Sequence, residues 1–199
     1  DKYVVDFIKS NNVILKKVHG RIKQEDFYNT EVSHIKNECK WLLILDIDEF
    51  LYSPHNYNLK EKLHKKYNKY CQVVIPWFVF SAKPNILDPK SVIKSNLYRI
   101  GFNYDKSSRC KSIIKTNKVI FTRVHIHRCH ATVLCDPKMT KIDTNRHRGL
   151  HRFKLNDTYI SNSDFVINHY RYRSYEFYFK VKLNRIKLPK NKDGYRMGE

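Results

Sequence analysis

The stretch Trp41-Leu42-Leu43-Ile44-Leu45-Asp46-Ile47-Asp48-Glu49-Phe50 decides how this chain is to be read. Five apolar residues run without a break and then stop at carboxylates. An unbroken run of this kind predicts a strand buried on both faces. In open α/β sheets, ligands bind just outside the carboxyl ends of such strands. Asp46 and Asp48 stand there two residues apart, so in extended backbone both side chains leave the same face. Convergent carboxylates at a strand end suit a hard cation, Mg²⁺ or Mn²⁺, whose remaining positions go to phosphate oxygens and water. An Asp at a strand end is also ordinary turn chemistry. The continuation into Glu49-Phe50-Leu51 after a fully apolar strand favours the metal–diphosphate reading.

Upstream of this strand, Val4, Val5 and Ile8 give Lys2–Asn11 a helical spacing, and Val13-Ile14-Leu15 follow as a short strand. Gln24–Lys40 reads as a second helix, with Tyr28, Val32, Ile35 and Cys39 on one stripe. Glu25 and Asp26 suit its first turn, where negative charge meets the helix dipole. Helix, strand, helix, strand in this order predicts a parallel arrangement.

Downstream, Asn58–Tyr70 reads as an amphipathic helix with Leu59, Leu63 and Tyr67 inside. Cys71–Phe80 is the next strand, which Pro76-Trp77 ends or bulges. The polar 81–110 segment reads as a long loop. Lys111–Ile114 and Lys118–His127 predict a strand pair joined at Thr116-Asn117, and Ala131–Cys135 a further strand. Phe165–Asn168 is strand-like and leads into His169-Tyr170. The last predicted element is an aromatic, basic helix from about Ser174 to Lys187. No repeat or low-complexity linker divides the chain, which reads as one domain.

At 199 residues, with 41% apolar and 14% aromatic content, the chain can bury a core and is not of a disordered class. The formal charge of +20 fits a nucleic acid, an anionic membrane surface or an anionic substrate. Because basic residues are spread along the whole chain, the charge reads as compatible with a nucleotide-diphosphate donor and insufficient for nucleic-acid binding. Five cysteines, an odd number without paired spacing, do not describe a disulfide framework. Neither a signal peptide nor an apolar run of membrane-spanning length is visible.

A Trp-led apolar strand ending in Asp-Ile-Asp-Glu-Phe-Leu resembles nucleotide-sugar glycosyltransferases of the GT-A fold, and among them the family-92 group and its glycosyltransferase-2-like relatives. Further stretches resemble that group in the same order. They are Gln24 with Tyr28-Asn29, Ile75-Pro76-Trp77-Phe78-Val79-Phe80, Lys111-Ser112-Ile113-Ile114 and Val124-His125-Ile126-His127. The series closes with Ile167-Asn168-His169-Tyr170, followed by Ser174, Glu176-Phe177 and Lys180. Ser81-Ala82-Lys83 departs from the Gly-Ser turn of many members.

The resemblance implies a GT-A-like α/β fold, with a central, mainly parallel sheet flanked by helices, whose opening nucleotide-binding strand precedes residue 1. It implies sugar transfer from a nucleotide-diphosphate donor, a UDP-sugar, to a hydroxyl of a glycan or glycoprotein, with Mn²⁺ or Mg²⁺ stabilising the leaving phosphate. Asp48 would be the direct metal ligand, and Asp46 would hold ribose, metal or metal-bound water. His169 would be the third metal ligand, with His127 the second choice. Lys111 would contact the donor phosphates; taken alone it reads as an ordinary strand-edge lysine. Glu176 and Asp136 are the candidates for the general base of an inverting transfer. Glu49 points away from Asp48 by alternation and supports the strand end through a buried hydrogen bond. Membrane association would come through segments outside this chain.

Three rival readings compete. A haloacid-dehalogenase-like phosphatase would use Asp46 as nucleophile, but Glu49-Phe50-Leu51 lacks the Gly and Thr expected after it. A zinc module would draw on His125, His127, Cys129, His130 and Cys135, at a spacing unlike known fingers. A basic nucleic-acid-binding protein would leave the acidic strand end unexplained.

Overall fold

The strand that every other strand depends on is Gln72–Val79, eight residues buried over nearly their whole length. The computed structural model describes residues 13–20, 22–100, 110–124, 127–129, 134–135, 138, 141–142 and 157–184. In chain order its strands are β1 (Trp41–Leu43), β2 (Glu49–Tyr52), β3 (Gln72–Val79), β4 (Cys110–Lys115), β5 (Val119–Phe121), β6 (Arg128–Cys129), β7 (Leu134–Cys135), β8 (Lys141–Ile142) and β9 (Val166–His169). Helices α1 (Gln24–Ile35), α2 (Leu59–Lys65), α3 (Val92–Ser95), α4 (Asp157–Ser161) and α5 (Tyr175–Phe177) alternate with them, and α5 continues as a π-helix over Tyr178–Leu183.

Seven strands form one sheet along the path β1-β4-β3-β7-β8, with β9 joining β3 and β2 joining β9. The expected central strand, Trp41–Leu45, is corrected on three counts. It is three residues long, it is half-buried, and it lies at the end of that path among the described residues. The expected mainly parallel sheet is mixed. β3 runs parallel to β7 and β9, while the β1–β4, β3–β4, β2–β9 and β7–β8 pairs are antiparallel. An edge strand half-covered on both faces carries the same apolar run as a central one. Trp41, Leu43 and Leu45 still pack against the core, so polarity alone does not report who pairs with the backbone.

The fold is thus mixed α/β, with β3 at its centre. Its first half pairs with β4 and β7, and its second half, from Trp77 onward, with β9. Pro76 does not end the strand, because its missing N–H falls at this change of partners. The core gathers Leu63, Tyr67 and Tyr70 against Val73, Ile75 and Trp77 of β3, Ile113 of β4, and Phe165 and Ile167.

Several predicted elements change their limits. α1 stops at Ile35, short of Lys40. The carbonyls just beyond it, those of Lys36 and Cys39, accept from the Thr116 hydroxyl. Thr116 therefore ties α1 to the end of β4. Thr116–Lys118 form a 3-10 turn, and the expected hairpin is absent: β4 pairs with β1 and β3, β5 with β6. Asn58 caps α2 by accepting the Glu61 N–H at 3.0 Å, and the helix ends at Lys65 rather than Tyr70. Val13–Leu15 are exposed and form no strand, while Lys2–Asn11 lie outside the described residues. No helix among the described residues is long and apolar enough to cross a membrane.

Asp164 locks α2 to the sheet. Its Oδ2 accepts from Tyr67 Oη and Lys66 Nζ, both at 2.7 Å, and Lys62 Nζ stands 3.6 Å from Oδ1. Burial by itself would raise this carboxyl, but the Lys66 and Tyr67 hydrogen bonds outweigh it and hold it below the ordinary 3.8. A depressed folded value means the contribution is present above the unfolded value and is lost as pH falls through the folded one. Asp164→Asn is therefore expected to cost about 1.5–3 kcal/mol at neutral pH. The variant should also show a shallower loss of stability below pH 3.8 than the parent. Urea melts at several pH values check both.

Candidate active site

β1 stops at Leu43, and the chain passes through Ile44–Asp46 into a turn at Ile47-Asp48 before β2 begins. Glu49 closes the turn twice. Its N–H donates to the Asp46 carbonyl at 3.0 Å, and its Oε2 accepts the Asp46 N–H at 3.0 Å. Asp48 lies on the turn, where strand alternation does not apply. The two carboxylates take different partners. Asp46 Oδ2 lies 3.1 Å from Lys111 Nζ, and Asp48 Oδ2 lies 3.6 Å from His169 Nε2.

Lys111 sits on β4, which runs between β1 and β3, so it is no edge lysine. Its side chain is 1% exposed, and its ammonium also faces Glu49 Oε2 at 3.4 Å. A buried ammonium persists only with counter-charges and hydrogen bonds around it, and Asp46 and Glu49 supply them. Burial pushes the Glu49 carboxyl up, opposed by the Asp46 N–H and by Lys111. Glu49 thus supports the strand end through a buried hydrogen bond, the role expected of it.

His169 is the last residue of β9, directly opposite Glu49 in the β2–β9 register. Sequence placed it beyond the strand. It is instead buried, with its ring edge-on to Trp77 at 4.3 Å between centroids. Its neighbour Tyr170 donates its N–H to the Asp48 carbonyl at 2.9 Å, which ties the end of β9 to the turn. His169 Nδ1 and Glu49 Oε1 are both buried with no hydrogen-bond partner among the described residues. The His169 ring holds the Asp48 carboxyl below its ordinary value against the effect of burial, and Lys182 assists.

Sequence reasoning passed over Lys182. It lies on the π-helical continuation of α5, and no periodicity distinguishes it from the other lysines of that segment. Tyr28 of α1 also reaches the site. Burial raises its phenol, the Gln24 amide donates to its oxygen, and the charges of Asp46, Lys111 and Glu49 act on it.

The remaining candidates lie elsewhere. His127 Nδ1 accepts the Arg123 N–H at 3.1 Å, and its own N–H donates to Gln72 Oε1 at 2.8 Å. Gln72 opens β3, whereas His169 faces Val79 at its other end. Cys129 Sγ accepts from Gln72 Nε2 at 3.6 Å beside Cys71. His125, His130 and the side chain of Cys135 are outside the described residues. Among the described residues, no three His, Cys, Asp or Glu side chains are grouped as a metal-ligand set.

Glu176 stands in the first turn of α5. Its Oε2 accepts the Asp88 N–H at 3.1 Å and its Oε1 meets Lys180 at 2.6 Å, the pairing that chiefly lowers its carboxyl. Asp136 lies outside the described residues.

What assembles at the turn is a partly exposed carboxylate facing an imidazole, a second carboxylate held by a buried lysine, and a further cation nearby. Ile47, fully exposed, projects from the same turn. No curated protein matches the chain. The model of glycosyltransferase family 92 matches residues 21–194, a span that takes in the turn, β4, β9 and α5. On that match the chain belongs to glycosyltransferase family 92 and is a glycosyltransferase.

Proposed function

We propose that this chain transfers a sugar from a UDP-sugar to a hydroxyl of a glycan or glycoprotein, with Mn²⁺ or Mg²⁺ at the Asp48–His169 pair. The carrying observation is that pair, an oxygen and a nitrogen donor 3.6 Å apart, with the charge of Lys182 acting on Asp48 and Lys111 held on the neighbouring Asp46. The donor set fits Mn²⁺ better than Mg²⁺, because imidazole suits the former. Such ions take one or two protein carboxylates and leave the rest of their shell to phosphates and water, so two protein donors suffice. When bound, the ion would neutralise charge on the leaving phosphate.

The chain's own residues do the rest. Lys111 pairs with both Asp46 and Glu49, and Asp46 remains an acceptor for ribose or metal-bound water. Lys182 adds a positive field where the diphosphate leaves. Trp77, packed under His169 and 5.9 Å from the Lys111 ammonium, gives the site an apolar floor. The acceptor proton goes to Glu176 or Asp136. Glu176 is ionised at neutral pH, as a base must be, and Lys180 keeps it so. Family membership sets aside the phosphatase reading of Asp46.

Calorimetry of UDP binding tests this reading. Binding is expected to need Mn²⁺, to vanish in EDTA, and to weaken about tenfold or more in His169→Gln. His127→Ala should leave it unchanged. UDP affinity indifferent to EDTA would refute the metal role. For the base, nucleotide release should fall about 10²-fold or more in one of Glu176→Gln and Asp136→Asn, and less than tenfold in the other.

A further inference from the structure

The segment after β3 carries a cluster of large apolar side chains in the open. Ile86 and Leu87 are 72% and 69% exposed, Leu97 and Tyr98 69% and 62%, and Tyr175 of α5 54%. They are not displayed by a loose loop. Tyr175 and Glu176 donate their N–H groups to the Asn85 and Ile86 carbonyls, and the Asn85 amide donates to Asn96 at 2.8 Å. Asn96, fully buried, donates in turn to the Tyr172 and Ser81 carbonyls. Ser174 donates to Asp88 at 2.5 Å, and Arg173 pairs with that same carboxylate. Hydrogen bonds thus pin the segment to the start of α5, while Ile86, Leu87, Leu97 and Tyr98 stay exposed on it.

Exposed apolar clusters with a polar rim mark interaction surfaces. The rim here is basic. Lys83, Lys90, Lys94 and Arg171 are exposed and form no ion pair among the described residues. The acid within the 81–98 segment, Asp88, is paired with Arg173.

We propose that this face, the 81–98 segment with the start of α5, rests on an anionic lipid surface. Ile86 and Leu87 would enter the headgroup–acyl boundary, with Lys83, Lys90 and Lys94 against lipid phosphates and carboxylates. The charge complementarity selects an anionic partner. The branched aliphatics select lipid over nucleic acid, since phosphates and bases gain nothing from Ile and Leu, whereas a bilayer boundary does. Tyr98 and Tyr175 suit the same depth, because amphipathic rings settle at the headgroup level.

Co-sedimentation of the full chain with sucrose-loaded vesicles tests this. Partitioning is expected onto phosphatidylcholine vesicles containing about one-third phosphatidylserine, and at least tenfold less onto phosphatidylcholine alone. Ile86→Ser/Leu87→Ser and Lys90→Glu/Lys94→Glu should each reduce binding about tenfold or more. All four positions are exposed, so melting temperatures should not change, and a melting scan of each variant verifies that. Binding equal on the two vesicle types, or unaffected by Ile86→Ser/Leu87→Ser, overturns the proposal. So does a dimer in solution that Ile86→Ser/Leu87→Ser dissociates, which would assign the face to a second copy. Capture by duplex DNA in preference to vesicles, lost in Lys90→Glu/Lys94→Glu, would assign it to nucleic acid and equally overturn it.

Discussion

Asp48→Asn is expected to lower transfer by about 10²–10³-fold, the usual loss when one preorganised electrostatic group is removed from a reacting centre. The substitution keeps the shape of the side chain and leaves an amide oxygen facing His169 Nε2, so that ring is not stranded. The backbone link that holds the turn, from the Tyr170 N–H to the Asp48 carbonyl, is untouched. Asp48 is also partly exposed, its side chain at 30%, so neutralising it leaves no buried charge unpaired. The thermal midpoint should therefore stay within a few degrees of the parent. Nucleotide release from a panel of nucleotide sugars with a glycoprotein acceptor, alongside a melting scan, reads both quantities. Activity within tenfold of the parent at saturating Mn²⁺ would remove Asp48 from the proposed donor site.

Lys111→Ala is expected to be the most destabilising single change at the site, by about 3–5 kcal/mol. It takes the only ion-pair partner seen for Glu49 among the described residues from a carboxylate whose side chain is fully buried. It also opens space beside Trp77, since the long aliphatic stem of Lys111 is buried. Lys111→Met restores that volume and isolates the charge effect. With the ammonium gone, the Glu49 carboxyl, already raised by burial, rises further. A folded value above the unfolded one gives a contribution that is fully present below the unfolded value and lost as pH rises through the folded one. Lys111→Met should thus be more stable in mild acid than at neutral pH, with a steeper decline than the parent. Adding Glu49→Gln to Lys111→Met should flatten that slope. A pH-independent deficit in Lys111→Met would mean that packing alone matters there.

Part of the site was legible because chemistry and order survive in a linear text. Asp46, Asp48, Glu49 and His169 could be singled out because acids at the end of an apolar run, and a histidine after another, are uncommon where burial is the rule. Lys111 was visible but misjudged, since a lysine on a predicted strand gives no sign of whether its strand is at the edge or inside. His169 was assigned to a loop because polarity marks where the apolar run stops, whereas the backbone pairing with Glu49 runs one residue further. Lys182 left no signal at all. Its charge reaches Asp48 from the π-helical continuation of α5, far along the chain, so no local pattern marks it.

By itself, then, the sequence located α1, α2, β3, β4 and β9, and the acidic residues that follow β1. These depend on local polarity and local propensity, which neighbouring residues carry. Only the tertiary structure decided that β3 rather than Trp41–Leu45 is central, that β4 enters antiparallel between them, and that Asp46 and Asp48 face different partners. Each of those outcomes is a backbone pairing between segments tens of residues apart. An apolar strand satisfies its N–H and C=O groups equally well with either kind of neighbour, so nothing in its side chains selects one.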